Sequence, residues 1–105
     1  MDLALSAIAE PRRRQILDLV RDSEMSAGGI ASHFDISRPA VSQHLRVLKG
    51  AGLLEERRVG TFRIYRLRPE GLAELRLYLE GFWDDGLNRL KAVVEHDQRT
   101  PDGGW

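Results

Sequence analysis

Three prolines, Pro11, Pro39 and Pro69, mark points along this chain where a helix can begin. Proline is tolerated in the first turn of a helix, where its missing N–H would have no intrahelical partner, and it breaks a helix interior. The apolar residues after each proline fall at helical spacing. Ile16, Leu17 and Val20 follow Pro11; Val41, Leu45 and Leu48 follow Pro39; Leu72, Leu75, Leu79 and Phe82 follow Pro69. Ahead of the first proline, "DLALSAIA" (residues 2–9) reads as a short helix exposing Leu3, Leu5 and Ile8.

Between Pro11 and Pro39 the pattern fades at Asp22-Ser23-Glu24 and resumes at Ser26, which can cap a third helix to about Phe34. Ile30, Ala31 and Phe34 are expected inside. Gly28 and Gly29 each weaken this helix by about 1 kcal/mol relative to alanine, so it must lean on tertiary packing. "FDIS" is a tight connection in which Asp35 is expected to tolerate a left-handed backbone. Ser37 then caps a fourth helix, which Gly50 and Gly52 end. Two short helices joined by a short turn, the second well capped, form a helix-turn-helix signature.

"LLEERRVGTFRIYRL" follows at once. Gly60 divides two β-prone runs into a hairpin with a basic tip. Alternation puts Arg63 and Tyr65 on one face and Phe62 and Ile64 on the other. Pro69 stops the second strand and opens a long helix to about Asp97, where Trp83, Leu87, Leu90 and Val94 continue the apolar seam across a break near Gly86. Residues 1–97 are expected to form one domain. The tail 98–105 is turn-forming and polar, which predicts disorder.

The chain of 105 residues carries no net charge, but the charge is segregated. Residues 37–68 hold eight Lys or Arg against Glu55 and Glu56, a net of +6, and the flanks are acidic. The recognition-type helix and the hairpin are thus the only strongly basic stretch, as a nucleic-acid partner requires. The absence of cysteine excludes disulfides and thiolate chemistry. No apolar run approaches the roughly 20 residues that cross a bilayer, so no membrane partner and a cytoplasmic location are expected. No glycine-rich phosphate loop, nucleophile elbow or spaced acid/base pair is present, and an enzyme is not expected.

A helix-turn-helix followed by a basic hairpin is a winged helix. The order "PRRRQILDLV … MSAGGIASHFDISRPAVSQHLRVLKGAGLLEERRVGTFRIYRLRPEGL" resembles the ArsR family of bacterial repressors over about residues 2–95. "SRPAVSQHLRVLKGAGLLEERRVG" and "YRLRPEGL" are its most specific pieces. The cysteine-free form with "EPRRRQIL" is most similar to the SdpR-like branch, which includes autorepressors. The resemblance implies a mainly α winged helix-turn-helix with a small β-hairpin, paired as a homodimer through its first and last helices. It also implies double-stranded DNA with a palindromic operator as the partner, and transcriptional repression as the function.

With Val41, Leu45 and Leu48 facing the core, Arg38, Ser42 and Gln43 point outward near the helix N-terminus. Arg38 can donate twice to guanine and Gln43 can read adenine. Ser37, His44, Arg46 and Lys49 suit phosphates, as do Arg57, Arg58, Thr61 and Arg63 of the wing. His44 has a second reading, as cover for the helix-turn-helix junction. Arg14 is expected as an internal ion-pair partner, with Arg12 and Arg13 solvated. The dimer seam is expected at Leu3, Leu5, Ile8, Leu79, Phe82, Trp83, Leu87, Leu90 and Val94, residues that could instead be intramolecular core.

Two other functions remain open. Many ArsR relatives release DNA when metal binds, and here Asp84 or Asp85 with His96 would be the candidate zinc ligands. No second histidine lies near His96, so the shell is short of a ligand and no metal or cofactor is expected. A winged helix used as a protein-interaction module would keep the dimer seam, but would not need a basic wing.

Overall fold

The structure, a computed structural model, describes residues 1–97, apart from the side chains of residues 83–85, 87, 96 and 97. The expected tail 98–105 lies outside the described residues. The elements in order are α1 (Asp2–Ala9), α2 (Pro11–Leu19), β1 (Met25–Ser26), α3 (Ala27–Ala31), α4 (Arg38–Gly50), β2 (Leu54–Val59), β3 (Phe62–Leu67) and α5 (Pro69–Asp97). All three prolines sit where a helix begins. Two compact units divide the chain, Met1–Leu75 and Arg76–Trp105.

The first unit is built on α4. Val41, Leu45 and Leu48 are all but fully buried and meet Ile16 of α2, Val20 just past its end, Ile30 of α3, and Leu53, Leu54 and Tyr65 of the sheet region. Ala4 and Ala7 of α1 and Leu75 of α5 also join this core; Leu5 and Ile8 are half-buried against it and Leu3 is 69% exposed. Helix α4 ends in a Schellman motif: Leu53 N donates to Leu48 O at 3.0 Å and Gly52 N to Lys49 O at 3.0 Å. Gly52 takes φ +78°, a conformation that costs glycine nothing.

The junction between α1 and α2 uses residues that helical periodicity does not expose. Glu10 caps α2, its carboxylate accepting from Arg13 N at 3.0 Å. Arg13 Nε donates to Ala7 O at 2.6 Å and Arg14 Nη1 to Ile8 O at 2.7 Å. Among the described residues Arg14 therefore has no ion-pair partner, and Arg13 is not simply solvated. Both fill carbonyls left without partners where α1 stops, and both place positive charge at the negative end of that helix.

Helix α3 is shorter than expected, five residues, with Ser26 Oγ accepting from Gly29 N at 2.9 Å as its cap. The chain leaves it through two tight turns, His33 N to Ile30 O and Phe34 N to Ala31 O. Those turns bring Phe34 and Ile36 against the core without a left-handed residue, so Asp35 does not adopt positive φ.

The sheet has three strands in the order β1-β3-β2, all antiparallel neighbours. Gly60, at φ +61°, opens the two-residue loop that joins β2 to β3 and sets the register Val59↔Phe62, Arg58↔Arg63 and Glu56↔Tyr65. Strand β1 pairs Met25 with Tyr65 and is too short for sequence periodicity to reveal. It ties the entry to α3 against the wing. Tyr65 is buried, Ile64 is half-buried and Phe62, at the tip, is 62% exposed.

In the second unit, Tyr78 and Phe82 pack edge to face with ring centroids 4.9 Å apart. Arg76 Nε donates to Glu80 Oε1 at 2.6 Å. Of the expected seam, Leu79, Phe82 and Leu90 are exposed and Val94 is half-buried. The side chains of Trp83 and Leu87 lie outside the described residues. Leu77, Tyr78 and Val93 are also exposed apolar residues here.

Helix α5 starts pressed against the turn that ends α4. A Cβ built on Gly71 would lie 1.8 Å from the Gly52 carbonyl oxygen, so any side chain there forces backbone apart. Gly71→Ala is expected to destabilise the protein by at least about 1–3 kcal/mol, as overpacking does. Gly50→Ala, with open space around it, should be neutral or stabilising by up to about 1 kcal/mol. Urea denaturation of both variants checks the contrast.

Candidate nucleic-acid interface

Burying Val41, Leu45 and Leu48 turns the opposite face of α4 to solvent. Arg38, Ser42, Arg46 and Lys49, spaced four, four and three residues apart, share one stripe of that face. This stripe forms one wall of a groove of about 590 Å³. Thr61, Phe62 and Arg63 of the hairpin line it too, and Ser26, Ala27 and Gly28 contribute from the start of α3. Four cationic side chains and one carboxylate, Glu56, line the groove.

The N-terminus of α4 is held by Ser37, whose hydroxyl accepts from Ala40 N at 3.2 Å. Ser37 thereby caps the helix with a lone pair, and its hydroxyl proton is left to donate. The guanidinium of Arg38 lies within 4 Å of where a Cβ on Gly28 would stand, so the small residue keeps that corner open. Among the described residues, Arg38 and Arg58 make no hydrogen bond or ion pair with a side chain. Gln43 and Arg46 are both exposed and bonded to each other, Arg46 Nη1 donating to Oε1 at 2.6 Å. His44 is half-buried, with Nδ1 3.5 Å from Arg13 Nη1, which places it at the α2–α4 junction.

Most of the remaining basic residues are paired. Arg57 bonds Glu24, Arg66 Nε donates to Glu55 Oε1 at 2.6 Å, and Arg68 Nε lies 4.0 Å from Glu70. Glu56 has three partners. It accepts from Tyr65 Oη at 3.0 Å and Lys49 Nζ at 3.3 Å, and Arg63 Nε lies 3.9 Å away. Burial alone would raise the Glu56 pKa. The bonds from Tyr65 and Lys49 and the charges of Lys49 and Arg63 outweigh it and hold the carboxyl below the usual 4.5. Glu24 is held below the same value, first by its bond from Arg57. Burial and the Glu56 carboxylate both push Tyr65 upward.

Sequence reasoning passed over Glu56, Tyr65 and the Ser26–Gly28 floor. A signal for the first two existed: a two-residue loop beginning at Gly60 makes Glu56 and Tyr65 cross-strand partners. Among the described residues no group of three His, Asp or Glu is placed to hold a metal ion, and no helix is long and apolar enough to cross a membrane. The side chains of Asp84, Asp85 and His96 lie outside the described residues.

Known proteins are similar to this chain in sequence and fold. The profile of the bacterial regulatory protein arsR family matches residues 10–56. The HTH-type transcriptional regulator Rv2034 of Mycobacterium tuberculosis is 41% identical over 96 residues, covering 91% of this chain and 90% of that protein. The transcriptional repressor SdpR of Bacillus subtilis is 40% identical, covering 86% of this chain and all of that protein. A homodimeric winged helix-turn-helix DNA-binding domain from Mycobacterium bovis, solved in solution, superposes with TM-score 0.64 at 34% identity, over 80% of this chain and 78% of that one.

The depressed carboxylates link stability to pH. Their stabilisation is fully present above the ordinary value of 4.5 and is lost as pH falls through their lower folded-state values. Denaturation midpoints are expected to hold from neutral pH down to about that value and then drop. Glu56→Gln should make the drop shallower; an unaltered acid limb would show that this network does not contribute to stability.

Proposed function

The chain belongs to the ArsR family of bacterial regulatory proteins, and we propose that it represses transcription by occupying an inverted-repeat operator as a homodimer. It is a transcriptional regulator with a DNA-binding winged helix-turn-helix, related to regulators and not to enzymes. The observation that carries the finer reading is the groove in which the cationic stripe of α4 faces a basic hairpin.

In this reading α4 enters the major groove with its N-terminal end leading. Arg38 carries an unpaired guanidinium able to donate twice to guanine O6 and N7, and Ser42 stands one turn along the same stripe. Gln43 reads a base once its carbonyl gives up Arg46, which then turns to phosphate. Arg58, beside the hairpin tip and paired with no side chain among the described residues, holds the backbone. His44, set against Arg13, supports the helix rather than the DNA.

Pairing of two copies is supported by the exposed apolar residues Leu77, Tyr78, Leu79, Phe82, Leu90 and Val93 of the second unit. A monomer rarely leaves so much apolar surface in water. The homodimeric M. bovis domain is a relative with the same fold. Two-fold pairing sets two recognition helices about 34 Å apart, one turn of DNA, which an inverted repeat matches. Repression rather than activation is supported by the similarity to SdpR along that protein's whole length. In this reading the operator overlaps the protein's own promoter or a neighbouring one, and the protein acts in the cytoplasm without a metal or cofactor.

Duplex selected from genomic fragments by the purified protein supplies the operator for a titration. Arg38→Ala is expected to cost about 1–3 kcal/mol on that duplex and to relax preference at one base position. Arg58→Ala should weaken all sequences alike and reduce the log–log salt slope by about 1. Equal losses on selected and unselected DNA from Arg38→Ala would overturn its assignment as a base reader. Phe82→Glu, on a side chain 63% exposed, should leave the fold intact, shift sedimentation to the monomer and abolish tight operator binding.

A further inference from the structure

One carboxylate stands in a groove otherwise lined by positive and neutral side chains. Glu56 is not an incidental surface acid: its side chain is only 14% exposed, and Tyr65, its cross-strand partner, is buried and bonds it from within. Its two cationic partners come from different elements. Lys49 lies near the end of the recognition helix and Arg63 in the second strand of the wing, and their side chains are 53% and 54% exposed. Both are therefore free to swing out, while the carboxylate is not.

We infer that Glu56 is a resident anion of the DNA groove, which competes with phosphate for Lys49 and Arg63 and so limits backbone binding on every sequence. The inference rests on the DNA-binding reading above. The geometry supports it in three respects. Glu56 presents to Lys49 and Arg63 the kind of oxygen anion that a phosphate would present. The free Arg38 is not among its partners, so base reading is spared. Ion pairs this exposed are weak, so DNA can displace the carboxylate, but only by competition. Each phosphate neutralised adds about 0.9 to the log–log salt slope. Two withheld cations therefore remove up to about 1.8 from the slope that the sequence's positive charge would suggest.

The test is a salt series on the full chain with a mixed-sequence duplex and with the selected operator. Four proteins are compared: wild type, Lys49→Ala, Glu56→Gln and the double variant. Glutamine keeps the size of the side chain and an acceptor for Tyr65 while removing the charge. Glu56→Gln is expected to bind both duplexes more tightly and to steepen the slope by about 1–2. Lys49→Ala alone should leave the wild-type slope nearly unchanged, but should remove about 0.9 of the gain when added to Glu56→Gln.

A Glu56→Gln slope equal to or shallower than wild type, in a variant with native circular dichroism, overturns the inference. So does a drop of about 0.9 from Lys49→Ala alone, since Lys49 would then already sit on phosphate. This second arm decides the matter even if Glu56→Gln fails to fold. Wild-type protein that binds neither duplex at low salt would instead sink the DNA-binding reading itself.

Discussion

Burial of three side chains on α4, Val41, Leu45 and Leu48, is the constraint from which the rest of the first unit follows. An α-helix has one rotation about its axis that hides a stripe at i, i+4 and i+7, and choosing it fixes where every other residue points. Arg38, Ser42, Arg46 and Lys49 are outward because those three are inward. The same burial sets the ends. Ser37 fastens the first turn, and the Schellman motif at Gly52 turns the chain so that Leu53 and Leu54 enter the core at the root of the wing. The carbonyl of that turn is where Gly71 of α5 must pass, so a single glycine contact fixes where the last helix begins.

What the sequence revealed and what it withheld divide along a physical line. Periodic burial was legible: α1 and α5 have the expected bounds, and the inward residues of α4 are those its spacing required. Local chemistry with a strong residue signature was legible too, as at Ser26, Ser37 and the Gly60 loop. Contacts between elements distant in sequence were not. A two-residue strand has no period to detect, so β1 was silent. Glu10 is not among the usual capping residues, so its place as the cap of α2 carried no residue signature. Arg13 and Arg14 looked like surface charge because their partners are backbone carbonyls, which sequence does not mark.

The groove shows the same division more sharply. Its cationic stripe could be read from helical spacing alone, and the wing tip from the hairpin. The net of +6 over residues 37–68 did not say how much of that charge was free. In the folded chain Lys49, Arg57, Arg63, Arg66 and Arg68 all lie beside carboxylates. Two of these carboxylates, Glu24 and Glu70, lie outside the basic stretch. Such exposed pairs contribute little to stability. Their effect is on the electrostatic potential: among the described residues of the basic stretch they leave Arg38 and Arg58 without a side-chain partner, the two cations that in the proposed reading meet DNA first.

That arrangement bears on how a small chain of zero net charge can act on DNA at all. Strong uniform positive charge would bind any duplex and hold the protein on bulk DNA, since phosphate contacts carry no sequence information. Pairing most of the cations keeps that attraction modest and leaves discrimination to the few side chains that reach base edges. Modest attraction per recognition helix then makes a second copy valuable. Tethering two weak readers turns the second contact into an intramolecular event, whose gain depends on both sites being engaged at once. Only a sequence with two correctly spaced half-sites offers that. The paired charges in the groove and the exposed apolar residues of the second unit are thus two parts of one proposal, in which selectivity comes from doubling a contact that is weak on its own.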